Sequence, residues 1–164
     1  MAQSINAVKI NRRKMLFKIL RVATSKLITG NYHFPAVSEI TAKELNDHLD
    51  SDEQPIVVDT RSEVEFNSGF GHIPGSRLIP IMDMVGSFND TDEFKGKVKQ
   101  LEQELEEIVI YKDHEVITIC PGGGFSLVAA EIMSEAGFEN VRSLKGGIDG
   151  WYKNNYPTTT EQLN

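Results

Sequence analysis

Apolar residues recur at helical spacing near the start of the chain. Leu16, Leu20, Ala23 and Leu27 lie at i, i+4, i+7 and i+11, with Lys14, Lys18, Arg21 and Ser25 on the opposite side and Gly30 as a stop. This spacing predicts an amphipathic helix docked by its leucine face. The pattern changes near Pro35. Thr41 followed by Glu44 makes a capping box, which starts a short helix carrying Leu45 and Leu49 inward. Pro55 closes an acidic loop, and Ile56-Val57-Val58-Asp59 is an apolar run too short for a helix, so it reads as a buried strand. A second strand is predicted around Leu78 to Ile81, after the turn Gly71-His72-Ile73-Pro74-Gly75, and residues 82–95 read as a polar loop. Val98, Leu101, Leu105 and Ile108 then stripe a helix whose Glu102, Glu104, Glu106 and Glu107 describe a solvated face rather than a metal site. Val116-Ile117-Thr118-Ile119 is a third strand and runs into Cys120. Val128, Ile132 and Ala136 share a helix face, with Glu131 and Glu135 on another and Gly137 as the stop. Val141 to Leu144 reads as a fourth strand, and Gly146-Gly147 opens a last helix holding Trp151.

Strands alternating with helices predict an α/β fold, an open parallel sheet with helices on both faces. The 164 residues, 40% hydrophobic and 25% charged, suit one globular domain with an appendage and exclude a disordered or fibrous chain. Charge locates the division. The net charge of -7 argues against a nucleic-acid partner, but all seven basic residues from Lys9 to Lys26 precede the first acid, Glu39. Residues 1–35 therefore form a basic helical arm of +7, and residues 36–164, with the other ten basic residues against 24 acids, form a body of -14. Lys18 and Arg21 interrupt the arm's apolar stretch, so neither a secretory signal nor a membrane span fits. The chain is expected to be soluble and cytoplasmic. Its acid-free, Arg-containing start leaves peripheral membrane contact, a partner contact through residues 5–29, or organelle import open as alternatives to docking on the body.

One cysteine removes every intrachain disulfide and every cysteine-based zinc site. Cys120 is then either a buried structural thiol or a chemical centre. Open parallel sheets bind ligands beyond the carboxyl ends of their strands, and Cys120-Pro121-Gly122-Gly123-Gly124-Phe125-Ser126 lies at such an end, before a helix. Three glycines let backbone amides turn inward into an anion-holding nest, and the helix dipole adds to it, favouring a thiolate or persulfide on Cys120. Pro121 supplies no amide hydrogen. Other loop chemistries fail on their letters. Phe125 stands where a phosphate-binding loop needs lysine, Leu127 where a dinucleotide fingerprint needs its third glycine, and no Gly-x-Ser-x-Gly elbow occurs. No metal is expected, because His33, His48, His72 and His114 are scattered without ligand spacing.

At this point the sequence resembles a single rhodanese domain, from Val37 to Pro157. Asp59-Thr60-Arg61, Glu65-Phe66 and Gly71-His72-Ile73-Pro74-Gly75-Ser76 look like the first family signature, with a slightly long span between Glu65 and Gly71. Cys120 heads a six-residue loop through Phe125, as at the family's active site. Ala136-Gly137-Phe138-Glu139-Asn140-Val141, Leu144-Lys145-Gly146-Gly147-Ile148 and Trp151 look like the closing signature. The resemblance implies a sulfurtransferase without metal or organic cofactor. Cys120 would take a sulfane sulfur from thiosulfate or a thiol persulfide, hold it as a persulfide, and pass it to cyanide, a thiol or a protein sulfur-relay partner. The amides of Gly122 to Ser126 would hold the anionic donor. Asp59, Arg61 and Glu65 would hold loops, His72 would serve its turn, and Ser126 would donate to the persulfide or cap the helix. One departure stands out. Many members carry arginine at the sixth loop position, where this chain has Phe125, so thiosulfate loses its cationic partner and a bulkier persulfide donor becomes the expectation. Two rivals remain: a non-catalytic interaction module, and a rhodanese-related phosphatase, which the arginine-free loop disfavours.

Overall fold

The computed structural model describes residues 5, 6 and 8–161. Helix α1 (Arg12–Thr29) starts where the Asn11 side chain accepts the Lys14 N–H at 2.8 Å and ends at Gly30, in the left-handed conformation at φ 76°. Then follow β1 (Ser38–Ile40), α2 (Ala42–Leu49), β2 (Ile56–Asp59), α3 (Glu63–Phe66), β3 (Arg77–Leu78), α4 (Asp83–Gly86) and α5 (Thr91–Glu107). A turn of 3-10 helix (Val109–Tyr111) leads to β4 (Glu115–Ile119), α6 (Phe125–Ala136), β5 (Asn140–Leu144) and α7 (Gly147–Lys153). The five strands pair in parallel in the order β1-β5-β4-β2-β3. Their carboxyl ends therefore share one edge, with β4 at the centre.

Both faces of the sheet are covered, and the strands alternate accordingly. Val58 and Val116 join a larger core with Met15, Val22, Leu101, Leu105 and the α6 side chains. Val57, Ile117 and Ile119 join a smaller one with Leu45, Leu144, Ile148 and Trp151. Helix α6 is buried almost all round because the sheet lies on one side and α1 on the other, which is why its sequence is apolar beyond one stripe.

Several expectations need correction. The arm helix does not dock by Leu16, Leu20 and Leu27, which are exposed, Leu27 to 87%. It docks by Met15 and Val22, with Lys18 reaching Glu131 at 3.4 Å and Glu135 at 2.9 Å on α6. Residues 82–95 are not a loop. Asp90 accepts the N–H groups of Asp92 and Glu93, and with two acids in the first turn it starts α5 at Thr91. The strand expected to reach Ile81 stops at Leu78, since Pro80 has no N–H to give a ladder. β1, three residues on the sheet edge, had no sequence signal of its own.

Candidate active site

Cys120 follows directly on β4, and the chain then turns tightly before α6. Two backbone positions permit that turn. Gly123 sits at φ +86°, where a Cβ would meet the Gly146 nitrogen at 2.7 Å. Gly147 sits at φ +61°, where a Cβ would collide with the Cys120 and Pro121 carbonyl oxygens and the Gly123 nitrogen. The loop is thus seated on the start of α7. Ile148 and Asp149 donate their N–H groups to the Cys120 and Pro121 carbonyls at 2.9 and 3.0 Å. On the other side, Thr60 donates both its N–H and its hydroxyl to the Ile119 carbonyl, at 2.9 and 2.7 Å, which pins the last residue of β4 to the end of β2.

The sulfur is 1% exposed as part of its residue and has two polar neighbours. Gly123 donates its N–H to Sγ at 3.2 Å, and the Ser126 hydroxyl lies 3.3 Å away. As a thiol Cys120 donates to that hydroxyl; as a thiolate it accepts from it. Ser126 Oγ also bonds Ser143 Oγ on β5 at 2.8 Å, so a chain of hydroxyls backs the sulfur. No side chain caps α6, whose N-terminus begins at the loop. The sulfur therefore faces one amide donor, one hydroxyl and the start of α6. Gly122 is the exposed loop position, with open space where a side chain would stand. Gly124 is covered instead: a methyl there would meet the Tyr32 ring at 2.9 Å. Tyr32 belongs to the turn after α1, and Lys26 stands over its ring at 5.1 Å from the centroid.

The remaining predicted site residues lie in the supporting structure. Asp59 and Arg61 form a fully buried pair, with Arg61 Nε and Nη2 donating to both carboxylate oxygens at 2.7–3.1 Å. Arg61 also donates to the Gly71 carbonyl at 3.1 Å and to the Tyr152 hydroxyl at 3.3 Å. Burial pulls the guanidinium pKa down, but Asp59 and Tyr152 outweigh it and hold it above its ordinary value. Glu65 completes a capping box with Ser62 at the start of α3 and makes no ion pair among the described residues. His72 stacks on Phe66 at 3.6 Å, with its two ring nitrogens each 3.1 Å from a carbonyl oxygen, Phe66 and Glu161. Phe125 packs against the larger core. Pro121 is half-buried and gives its carbonyl to α7.

The family model for the rhodanese-like domain matches residues 41–154, more than half of the chain. The chain belongs to the rhodanese-like family. Among related proteins, this rhodanese-like chain is 32% identical over 120 residues to the probable adenylyltransferase/sulfurtransferase MoeZ of Mycobacterium tuberculosis, covering 73% of this chain. It spans only 26% of that relative's length. It is 42% identical over 76 residues to the thiosulfate sulfurtransferase GlpE of Actinobacillus pleuropneumoniae, 45% of this chain and 61% of that one. A crystal structure of a rhodanese-related protein from Thermoplasma volcanium matches with a TM-score of 0.53 at 25% identity, covering 76% of this chain and 99% of that one. The parallel sheet agrees with that neighbour, and the relatives place the family among sulfurtransferases. Among the described residues, no helix is long and apolar enough to cross a membrane.

Tyr32, Thr60, Ser143 and Tyr152 were not legible as site residues. Ser143 carried a faint signal, a polar residue on the inward side of an apolar strand. Tyr32 carried none, being far from the loop in sequence.

Proposed function

We propose that the chain is a sulfurtransferase working through a Cys120 persulfide, with a thiol persulfide or protein-bound persulfide as its donor. The observation that carries this is the pair of donors on one sulfur, the Gly123 N–H at 3.2 Å and the Ser126 hydroxyl at 3.3 Å, at the carboxyl end of the central strand. In the first step the Cys120 thiolate attacks the outer sulfur of the donor. A new S–S bond forms to Sγ while the donor's own S–S bond breaks, and its electron pair leaves with the thiolate or, from thiosulfate, with sulfite. In the second, an acceptor thiolate or cyanide attacks the terminal sulfur and Sγ leaves as thiolate. The amide and hydroxyl hold charge on Sγ in both steps. No cationic side chain belongs to the loop from Cys120 to Ser126, which is why thiosulfate, a dianion, is the weaker donor here.

The test incubates the protein with glutathione persulfide or thiosulfate. Intact mass should rise by one sulfur atom, cyanide should release it as thiocyanate, and Cys120→Ser should abolish both. Ser126→Ala should lower the transfer rate about tenfold, the roughly 1.4 kcal/mol that one hydrogen bond contributes. An adduct that survives Cys120→Ser overturns the reading. The 1% exposure of Cys120 favours a second reading, a non-catalytic interaction module, and the absence of any adduct from either donor would exclude the first.

A further inference from the structure

Helix α1 has two apolar faces and the body uses one. Met15 and Val22 are buried against it, whereas Leu16, Phe17, Leu20, Leu27 and Ile28 are exposed, Phe17 to 68% and Ile28 to 78%. At 3.6 residues per turn these five side chains fall on one continuous arc of roughly 120°. They make up half of the large exposed hydrophobic side chains among the described residues. Isolated exposed apolar residues are ordinary; a contiguous stripe along one helix is not.

The charges beside the stripe say what would cover it. Arg13 lies within the arc, and Lys14 and Arg21 line one edge, all exposed, with Arg21 also standing over the Phe34 ring at 5.3 Å from its centroid. Among the described residues Lys18 is the α1 cation that reaches a carboxylate, so these three are left without an acidic partner. A second copy of the chain fits poorly, because stacking two such faces brings together Arg13, Lys14 and Arg21 of both arms, and neither arm holds an acidic residue to pair with them. An anionic bilayer fits both features. Its headgroup boundary takes Leu and Phe side chains, and its lipid phosphates attract the flanking cations. The body of -14 is repelled by the same surface, which leaves α1 as the part that approaches.

We propose that the outward face of α1 is an in-plane anchor that seats this domain reversibly on an anionic lipid surface. The anchor is independent of Cys120. The full chain should co-sediment with vesicles of phosphatidylglycerol and phosphatidylcholine, release as salt is raised, and stay in the supernatant with phosphatidylcholine alone. Phe17→Ser combined with Leu20→Ser should lower partitioning at least tenfold without moving the melting temperature downward, since both side chains are exposed. Arg13→Gln and Lys14→Gln should each lower it about fivefold. Failure of the wild type to bind the anionic vesicles, or equal binding by the serine variant, overturns the proposal. So does a lipid-free dimer in sedimentation velocity that the serine variant dissolves, because the stripe would then be an interface between copies. Capture by an acidic protein without any vesicle binding overturns it as well.

Discussion

Replacing Gly147 by alanine tests whether the cysteine loop owes its shape to the start of α7. Two costs are separable, because Gly75 offers a matched control. Gly75 sits at φ +78° with nothing within 4 Å of its Cβ position, and Gly147 at φ +61° against three loop atoms. Both substitutions incur the left-handed backbone penalty, about 1–2 kcal/mol. Only Gly147→Ala forces the loop off its seat, loosening the bonds from Ile148 to Cys120 and from Asp149 to Pro121, at 2.9 and 3.0 Å. At about 1 kcal/mol for each bond, the expected destabilisation is about 3–4 kcal/mol, against about 1–2 for Gly75→Ala. Urea unfolding at unchanged slope reads the difference. The same displacement moves the Gly123 N–H from Sγ, so sulfur loading of folded Gly147→Ala should slow at least tenfold while Gly75→Ala loads normally. Equal unfolding midpoints for the two variants, or normal loading by Gly147→Ala, would refute the reasoning.

Arg61→Met leaves Asp59 charged and buried without its partner, and should cost about 3–5 kcal/mol in urea unfolding; a loss below about 1 kcal/mol would mean that water replaces the guanidinium. Burial raises the pKa of Glu104 above its ordinary 4.5, with Gln100 partly opposing it. A carboxyl with a raised folded pKa weakens the fold as pH rises from the unfolded value through the folded one, so Glu104→Gln should raise the melting temperature by about 1–2 °C at neutral pH and lose this gain as pH falls below the unfolded value. Tyr32→Ala uncovers Gly124 and should speed alkylation of Cys120 severalfold, whereas Tyr32→Phe, which keeps the ring, should not; equal rates for all three proteins would show that the ring shields nothing.

What the sequence made legible follows from how local each signal is. The cysteine, its strand, the glycines and the helix after them are contiguous, so a strand pattern meeting a helix pattern was enough to place the loop at a sheet edge. The capping boxes at Thr41 and Ser62 are likewise local, although only the first was read. What escaped was set by distant partners. Ser143 becomes a site residue because β5 lies beside β4, and Tyr32 because the turn after α1 packs on Gly124. Phe125 occupies the place of a donor-binding side chain in the loop, yet it turns into the core, which periodicity in a six-residue turn cannot reveal.

In the arm, apolar spacing predicts the helix but not the face by which it docks. The periodicity of one helix shows where apolar residues cluster, not which cluster meets the rest of the chain. Here the stronger stripe, Leu16 to Ile28, points outward, and the weaker one, Met15 and Val22, docks. Burial alone would favour the opposite choice, so the docked face must offer something more. It carries Lys18, which reaches Glu131 and Glu135 on α6, and both Lys18 and Arg21 stand over the buried ring of Phe34, at 6.0 and 5.3 Å from its centroid. Part-buried contacts of this kind contribute about 1 kcal/mol each, too little to anchor a helix alone, and they add to the burial of Met15 and Val22 in fixing which face docks. With the leucines turned inward, Lys18 would be carried away from both carboxylates, and Phe34 would lose the cations above it. Glu131 and Glu135 therefore hold the Lys18 side of the arm against the body, and the leucine stripe, with Arg13 and Lys14, is left outside.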